Sequence, residues 1–174
     1  MSAQGGKPRR IYGAVQCDDG KFGPAAGAAT PGWSHDGRWI AFGVFGVHTE
    51  SYDCSNLAAV TSDGAAQRVL LRNDSPPLLD ATPQWTPDDS QIVFDLDGRL
   101  ATIGADGSGF KDLDAWATSD YARRSFSLSP DGRLIAYTTS LRDTEGRHDI
   151  WIIQTNGENP RPLLQSASAP VWQP

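Results

Sequence analysis

Cysteine is scarce in this chain: two residues in 174, with three histidines and one methionine. That excludes a disulfide-built scaffold, and with neither a paired CxxC nor an HExxH motif it removes the usual zinc sites. Long apolar runs are missing too. No stretch reaches the length of a membrane-spanning helix, and residues 1–16 lack the apolar core of a secretory signal, so this sequence carries no export address. Positive charge is in short supply: the net charge of -6 speaks against a surface built to neutralise phosphates, and no nucleic-acid partner is expected. A GxSxG nucleophile elbow is absent as well.

What is present is glycine and proline, 18 and 12 residues, too many helix breakers for a helical bundle. With hydrophobic residues at 39% and charged residues at 21%, the chain has ordinary globular composition, which points to short strands joined by many turns. Its order is repetitive. Gly32-Trp33-Ser34-His35-Asp36-Gly37-Arg38-Trp39-Ile40-Ala41-Phe42 returns as Gln84-Trp85-Thr86-Pro87-Asp88-Asp89-Ser90-Gln91-Ile92-Val93-Phe94 and again as Ser127-Leu128-Ser129-Pro130-Asp131-Gly132-Arg133-Leu134-Ile135-Ala136-Tyr137. Pro170-Val171-Trp172 opens a fourth copy. The markers Trp33, Trp85, Leu128 and Trp172 stand 52, 43 and 44 residues apart, the period of a four-stranded propeller blade.

Within each unit the first strand ends at the marker, and the Pro-Asp-Gly type of tetrad turns the chain into a second strand: Trp39 to Phe45, Gln91 to Phe94, Leu134 to Thr138. Third strands are expected at Leu57 to Thr61, Leu100 to Gly104 and Ile150 to Gln154. Asp63-Gly64, Asp106-Gly107 and Asn156-Gly157 follow as hairpin turns, and fourth strands are expected at Gln67 to Leu71, Phe110 to Leu113 and Arg161 to Leu164. Ile11 to Val15 with Asp18-Asp19-Gly20 reads as a third strand and its turn, whereas Lys21 to Thr30 is too rich in glycine and alanine to assign. The organisation is thus a tail (1–10), a half blade (11–32), blades over 33–84, 85–126 and 127–169, and the start of another at 170–174. An all-β propeller needs about 4 to 8 blades to close. About three and a half blades imply part of a longer propeller or self-association to complete the ring.

These units resemble the TolB-like, or WD40-like, β-propeller repeat, whose signature runs Trp-Ser-Pro-Asp-Gly-Arg, Ile-Ala-Phe, Asp-Ile-Trp and Asp-Gly. Residues 128–164 match it almost throughout; His35 departs from it where the repeat has Pro, and Asp89-Ser90 where it has Gly-Arg. The resemblance implies a periplasmic or extracellular setting and a binding, sensing or substrate-gating role. It also leaves room for calcium in a central channel, although no cofactor is expected from the residues.

In an up-and-down blade the first and third turns share one face, and the second connections and the crossovers share the other. The second face holds the long segments Gly46 to Asn56, Arg72 to Thr82, Asp114 to Arg124 and Ser140 to His148. Loops on a rigid scaffold carry binding residues, so Tyr52, Trp116, Tyr121, Arg123, Arg124, Arg142 and His148 are the candidates for holding a protein or peptide there or in the channel. Trp33, Trp85, Trp151 and Trp172 are expected to pack between blades. Ser34-His35-Asp36 contains the residue types of a catalytic triad, but neighbours in a tight turn point apart, so no catalytic residue and no enzymatic activity are expected. Asp95-Leu96-Asp97-Gly98 reads as a turn rather than a calcium loop. Cys17 and Cys54 fall in adjacent units and stand either as a bridge or as two thiols. The competing functional readings are a gating propeller of a serine peptidase or hydrolase, and a structural or sensory ectodomain.

Overall fold

The computed structural model describes residues 9–11, 14–16, 22–48, 51–73, 81–96, 98–113, 125–140 and 148–172, and every regular element among them is a strand. In chain order these are β1 (Ala14–Gln16), β2 (Phe22–Trp33), β3 (Trp39–His48), β4 (Ser51–Thr61), β5 (Gln67–Asn73), β6 (Gln84–Trp85), β7 (Gln91–Leu96), β8 (Arg99–Gly104), β9 (Lys111–Asp112), β10 (Phe126–Leu128), β11 (Leu134–Ser140), β12 (His148–Gln154) and β13 (Arg161–Leu164). They form three antiparallel up-and-down sheets, β2-β3-β4-β5, β6-β7-β8-β9 and β10-β11-β12-β13, with β1 added beside β2. The expected order of strands within each blade is the observed one.

Side-chain alternation along each middle strand stacks one sheet on the next. In β7, Ile92, Phe94 and Leu96 face Ala41, Leu57, Ala59 and Leu70 of the first sheet. Val93 looks the other way, toward Phe126, Ile135, Tyr137 and Ile153 of the third. The middle sheet is therefore covered on both faces, which is why Gln91–Leu96 is apolar nearly without interruption. Phe94, Ile92, Leu100 and Tyr137 lose all contact with water, and truncating any one of them to alanine would cost about 2–5 kcal/mol.

The same joint between blades is built repeatedly. The indole N–H of Trp85 donates to Gly32 O at 3.0 Å, and that of Trp172 donates to Ser127 O at 2.9 Å, in each case the carbonyl just before the preceding marker. Leu128 has no indole to offer. In its place the Gln84 amide bridges the gap, donating to Phe126 O at 3.1 Å and accepting from Leu128 N at 2.9 Å. Residues three before the markers also correspond: Thr30, Thr82 and Ala169 all take a positive φ, of 50°, 34° and 55°. Trp172 thus makes at Ser127 the contact that Trp85 makes at Gly32.

Three expectations change. The unassigned glycine and alanine run is strand β2, whose C-terminal end is the first strand of the first sheet. Beyond that run, Gly32 near the end of β2 meets close backbone: a Cβ there would lie 2.0 Å from Pro83 O. Ile11 does not begin a third strand. It lies over Gly64 as Leu70 lies over Gly107 and Leu113 over Gly157, in the place of a fourth-strand residue of a preceding blade. Of the described residues of the expected strand, only Ala14 and Val15 lie in a strand, β1, which pairs with Phe22–Pro24. Finally, Gly46 to His48 and Ser51 to Asn56 are not irregular: β3 and β4 stay paired out to His48 and Ser51, with a bulge between Gly46 and Val47.

Candidate binding groove

Of the seven candidate binding residues, Trp116, Tyr121, Arg123, Arg124 and Arg142 lie outside the described residues. Tyr52 sits in β4 with its backbone opposite Val47. His148 is exposed at the start of β12, opposite Ser140, and its carbonyl accepts the Ala167 N–H at 2.7 Å. Cys54 is paired with Gly46 in the first sheet, and Cys17 is outside the described residues.

Among the described residues, one of several concave surfaces lies across the ends of the three first strands. A groove of about 410 Å³ runs over Pro31, Trp33, Pro83, Pro87, Leu128 and Pro130. Trp33, expected between blades, is 48% exposed because no sheet among the described residues stands in front of the first one, whereas its repeat equivalent Trp85 is 3% exposed. Trp151 packs against the core between the second and third sheets, and Trp172 against the outer side of the third. Trp39 carries the Arg68 guanidinium over its ring at 3.7 Å.

The rim of the groove is made by first turns that are held by their own aspartates. Ser34 Oγ donates to Asp36 at 2.7 Å, Thr86 Oγ1 to Asp88 at 2.6 Å and Ser129 Oγ to Asp131 at 2.6 Å, while the backbone N–H two residues further on donates to the same carboxylate in each case. Hydrogen bonds to the ionised form pull all three carboxyls below the usual range, Asp88 to about 2, led by the Thr86 hydroxyl. Asp63 and Asp106 in the third turns are lowered by the same arrangement.

His35 and Asp89, two of the departures from the repeat, meet. Asp89 accepts the backbone N–H groups of His35 at 2.7 Å and Asp36 at 2.9 Å, with His35 Nδ1 at 3.2 Å. Ser34, engaged with Asp36 and Trp39, does not share a hydrogen bond with His35. Asp95 accepts the N–H of Gly98 at 2.7 Å, as the turn reading requires. Among the described residues, no three His, Cys, Asp or Glu side chains gather as a metal-binding group.

The array matches solved β-propellers. An oligogalacturonate lyase in complex with manganese gives a TM-score of 0.62 at 17% identity, over 82% of this chain and 42% of that one. A TolB-type protein from Agrobacterium tumefaciens gives 0.60 at 15%, over 91% and 64%. A prolyl endopeptidase gives 0.60 at 16%, over 87% and 25%. No family model and no curated protein matches the chain. The fold is thus that of a TolB-like β-propeller, present here as about three blades, and the chain spans less than two thirds of each of these proteins. No helix among the described residues is long and apolar enough to cross a membrane.

Proposed function

We propose that this chain is a non-enzymatic propeller module that binds a segment of protein or peptide at the end of its central channel. The groove over the first strands carries this reading. It is concave, lined by proline rings, Leu128 and the exposed Trp33, and large enough at about 410 Å³ for a few side chains of an extended segment. Tryptophan and proline offer apolar surface that loses little conformational entropy on binding, and the short turns around them are rigid. No cofactor takes part in this reading.

A second reading has its own support. The likeness to a prolyl endopeptidase favours a gating propeller, in which the same groove filters substrates for a hydrolase domain elsewhere.

Selection of a displayed peptide library on the immobilised chain tests the proposal, followed by calorimetry and mass spectrometry of the selected peptides. Peptides that bind the wild type, weaken about tenfold or more with Trp33→Ser and remain uncut are the expected result. Binding indifferent to Trp33→Ser removes the groove from the proposal, and cleavage of the peptide by the chain overturns its non-enzymatic part.

A further inference from the structure

Each joint between described sheets uses two further contacts. On the outer side, a basic residue and an aliphatic one two positions later in the fourth strand cover the third turn of the next sheet. Leu70 covers Gly107 while Arg68 acts electrostatically on Asp106. Leu113 covers Gly157 while Lys111 Nζ donates to Asn156 O. On the inner side, the second residue of one first turn faces the fourth residue of the next. Pro87 faces Gly132, where a Cβ would lie 2.6 Å from the proline Cδ, and His35 faces Asp89. Proline at the second place therefore demands glycine opposite, and a residue with a free N–H admits aspartate.

The two outermost sheets carry unmatched halves of this joint. On the third sheet, Arg161-Pro162-Leu163 repeats the basic and aliphatic pair, yet Leu163 is 49% exposed and Leu164 55%, and Pro130 faces no turn and is exposed. On the first sheet, Gly37 has φ 69° and nothing within 4 Å of where a Cβ would stand. Among the described residues, the third turn there is covered by Ile11 over Gly64 and by Arg9, whose guanidinium donates to Asp63 O. Arg9 and Ile11 are spaced as Arg161 and Leu163 are. A short segment thus occupies a place whose regular occupant, a fourth strand, the same chain offers at its other end.

We propose that the third sheet of one copy docks head to tail on the first sheet of a second copy. In this joint Leu163 takes the place of Ile11 over Gly64 of the second copy, and Arg161 takes the place of Arg9 on the Asp63 carbonyl. Pro130 meets Gly37, the pairing that Pro87 and Gly132 already show. A second copy fits because every element the open edge requires stands on the first sheet, and the glycine at 37 satisfies the proline rule that aspartate at 89 would break. Two such joints related by a twofold axis close a ring of about six blades, within the usual range of about 4 to 8.

Sedimentation velocity and light scattering on the full chain, over a wide range of concentration, test this. The wild type is expected at twice the mass of one chain. Gly37→Asn keeps a residue that tolerates the left-handed turn but adds the Cβ that Pro130 would strike, and Leu163→Asp puts a charge in the joint at a position exposed in the single chain. Both variants are expected to keep the wild-type circular dichroism and to run at the mass of one chain. A wild type that stays single at every concentration overturns the proposal and leaves the joint to a blade from a different chain. Paired mass retained by both variants overturns it equally. Gly37→Asn leaves the groove residues in place, so peptide binding by that variant separates the fate of this proposal from that of the groove.

Discussion

The backbone N–H of His35 points at the carboxylate of Asp89, 2.7 Å away, and each of these residues stands where the repeat has a different one. A proline at 35 would have no N–H to give, and its Cδ would crowd the Cβ of residue 89 as Pro87 would crowd a Cβ on Gly132. The two departures are one exchange, Pro with Gly for His with Asp.

That coupling is measurable. His35→Pro and Asp89→Gly are each expected to destabilise the fold alone, and the double variant to recover, with an interaction energy of about 0.5–3 kcal/mol in a double-mutant cycle. Urea denaturation supplies the four stabilities. Effects that simply add would mean that the two sites do not act on each other.

Gly32→Ala is expected to be among the more damaging small substitutions. Its Cβ would sit 2.0 Å from Pro83 O, a backbone atom that can retreat only by moving β6 and the adjacent Trp85. Overpacking of this kind costs about 1–3 kcal/mol. A denaturation midpoint equal to that of the wild type would show that the inner strands are looser than the structure has them.

Trp85→Phe keeps an aromatic ring in a site that is 3% exposed but removes the donor to Gly32 O. An unsatisfied buried carbonyl and a smaller ring together are expected to cost about 1–3 kcal/mol. Chemical denaturation followed by circular dichroism measures it. A loss of a few tenths would show that water satisfies the carbonyl.

Acid should weaken the turns in a defined window. Asp36, Asp63, Asp88, Asp106 and Asp131 all have folded-state pKa values below their unfolded ones, so the folded protein binds fewer protons. Their contribution is complete above the unfolded value of 3.8 and fades as pH falls through the folded one, about 2 for Asp88. Melting temperature is expected to hold steady from neutral pH down to about 5 and to drop from about 4 toward 2. Thr86→Val removes the hydroxyl that acts most strongly on Asp88 and should move its carboxyl titration, followed by NMR, back toward the usual value. An unmoved titration would assign the shift to something other than that bond.

Much of the fold is legible in the residues because its signals are local. Asp88 takes its bonds from Thr86 and Ser90, and Asp131 from Ser129 and Arg133, so the turn chemistry fits within five residues and repeats with the blade. The continuous apolar runs at 92–94 and 134–137 likewise report the strand and its two buried faces. The sequence alone therefore determined the blade, its four strands and their order.

Only tertiary structure decided what depends on residues about fifty positions apart. Whether Trp33 is buried like Trp85 rests on the presence of a sheet in front of it, and the role of glycine at 32 rests on Pro83. Ile11 could not be given its place from its neighbours, since what defines that place is the third-turn glycine it covers, Gly64. The scarcity of cysteine and of basic charge set the expectation against a disulfide-built scaffold and a nucleic-acid partner from composition alone. The groove arose where proline and tryptophan from three repeats were brought side by side, because packing between blades joins residues by their position in the period and not by their distance along the chain.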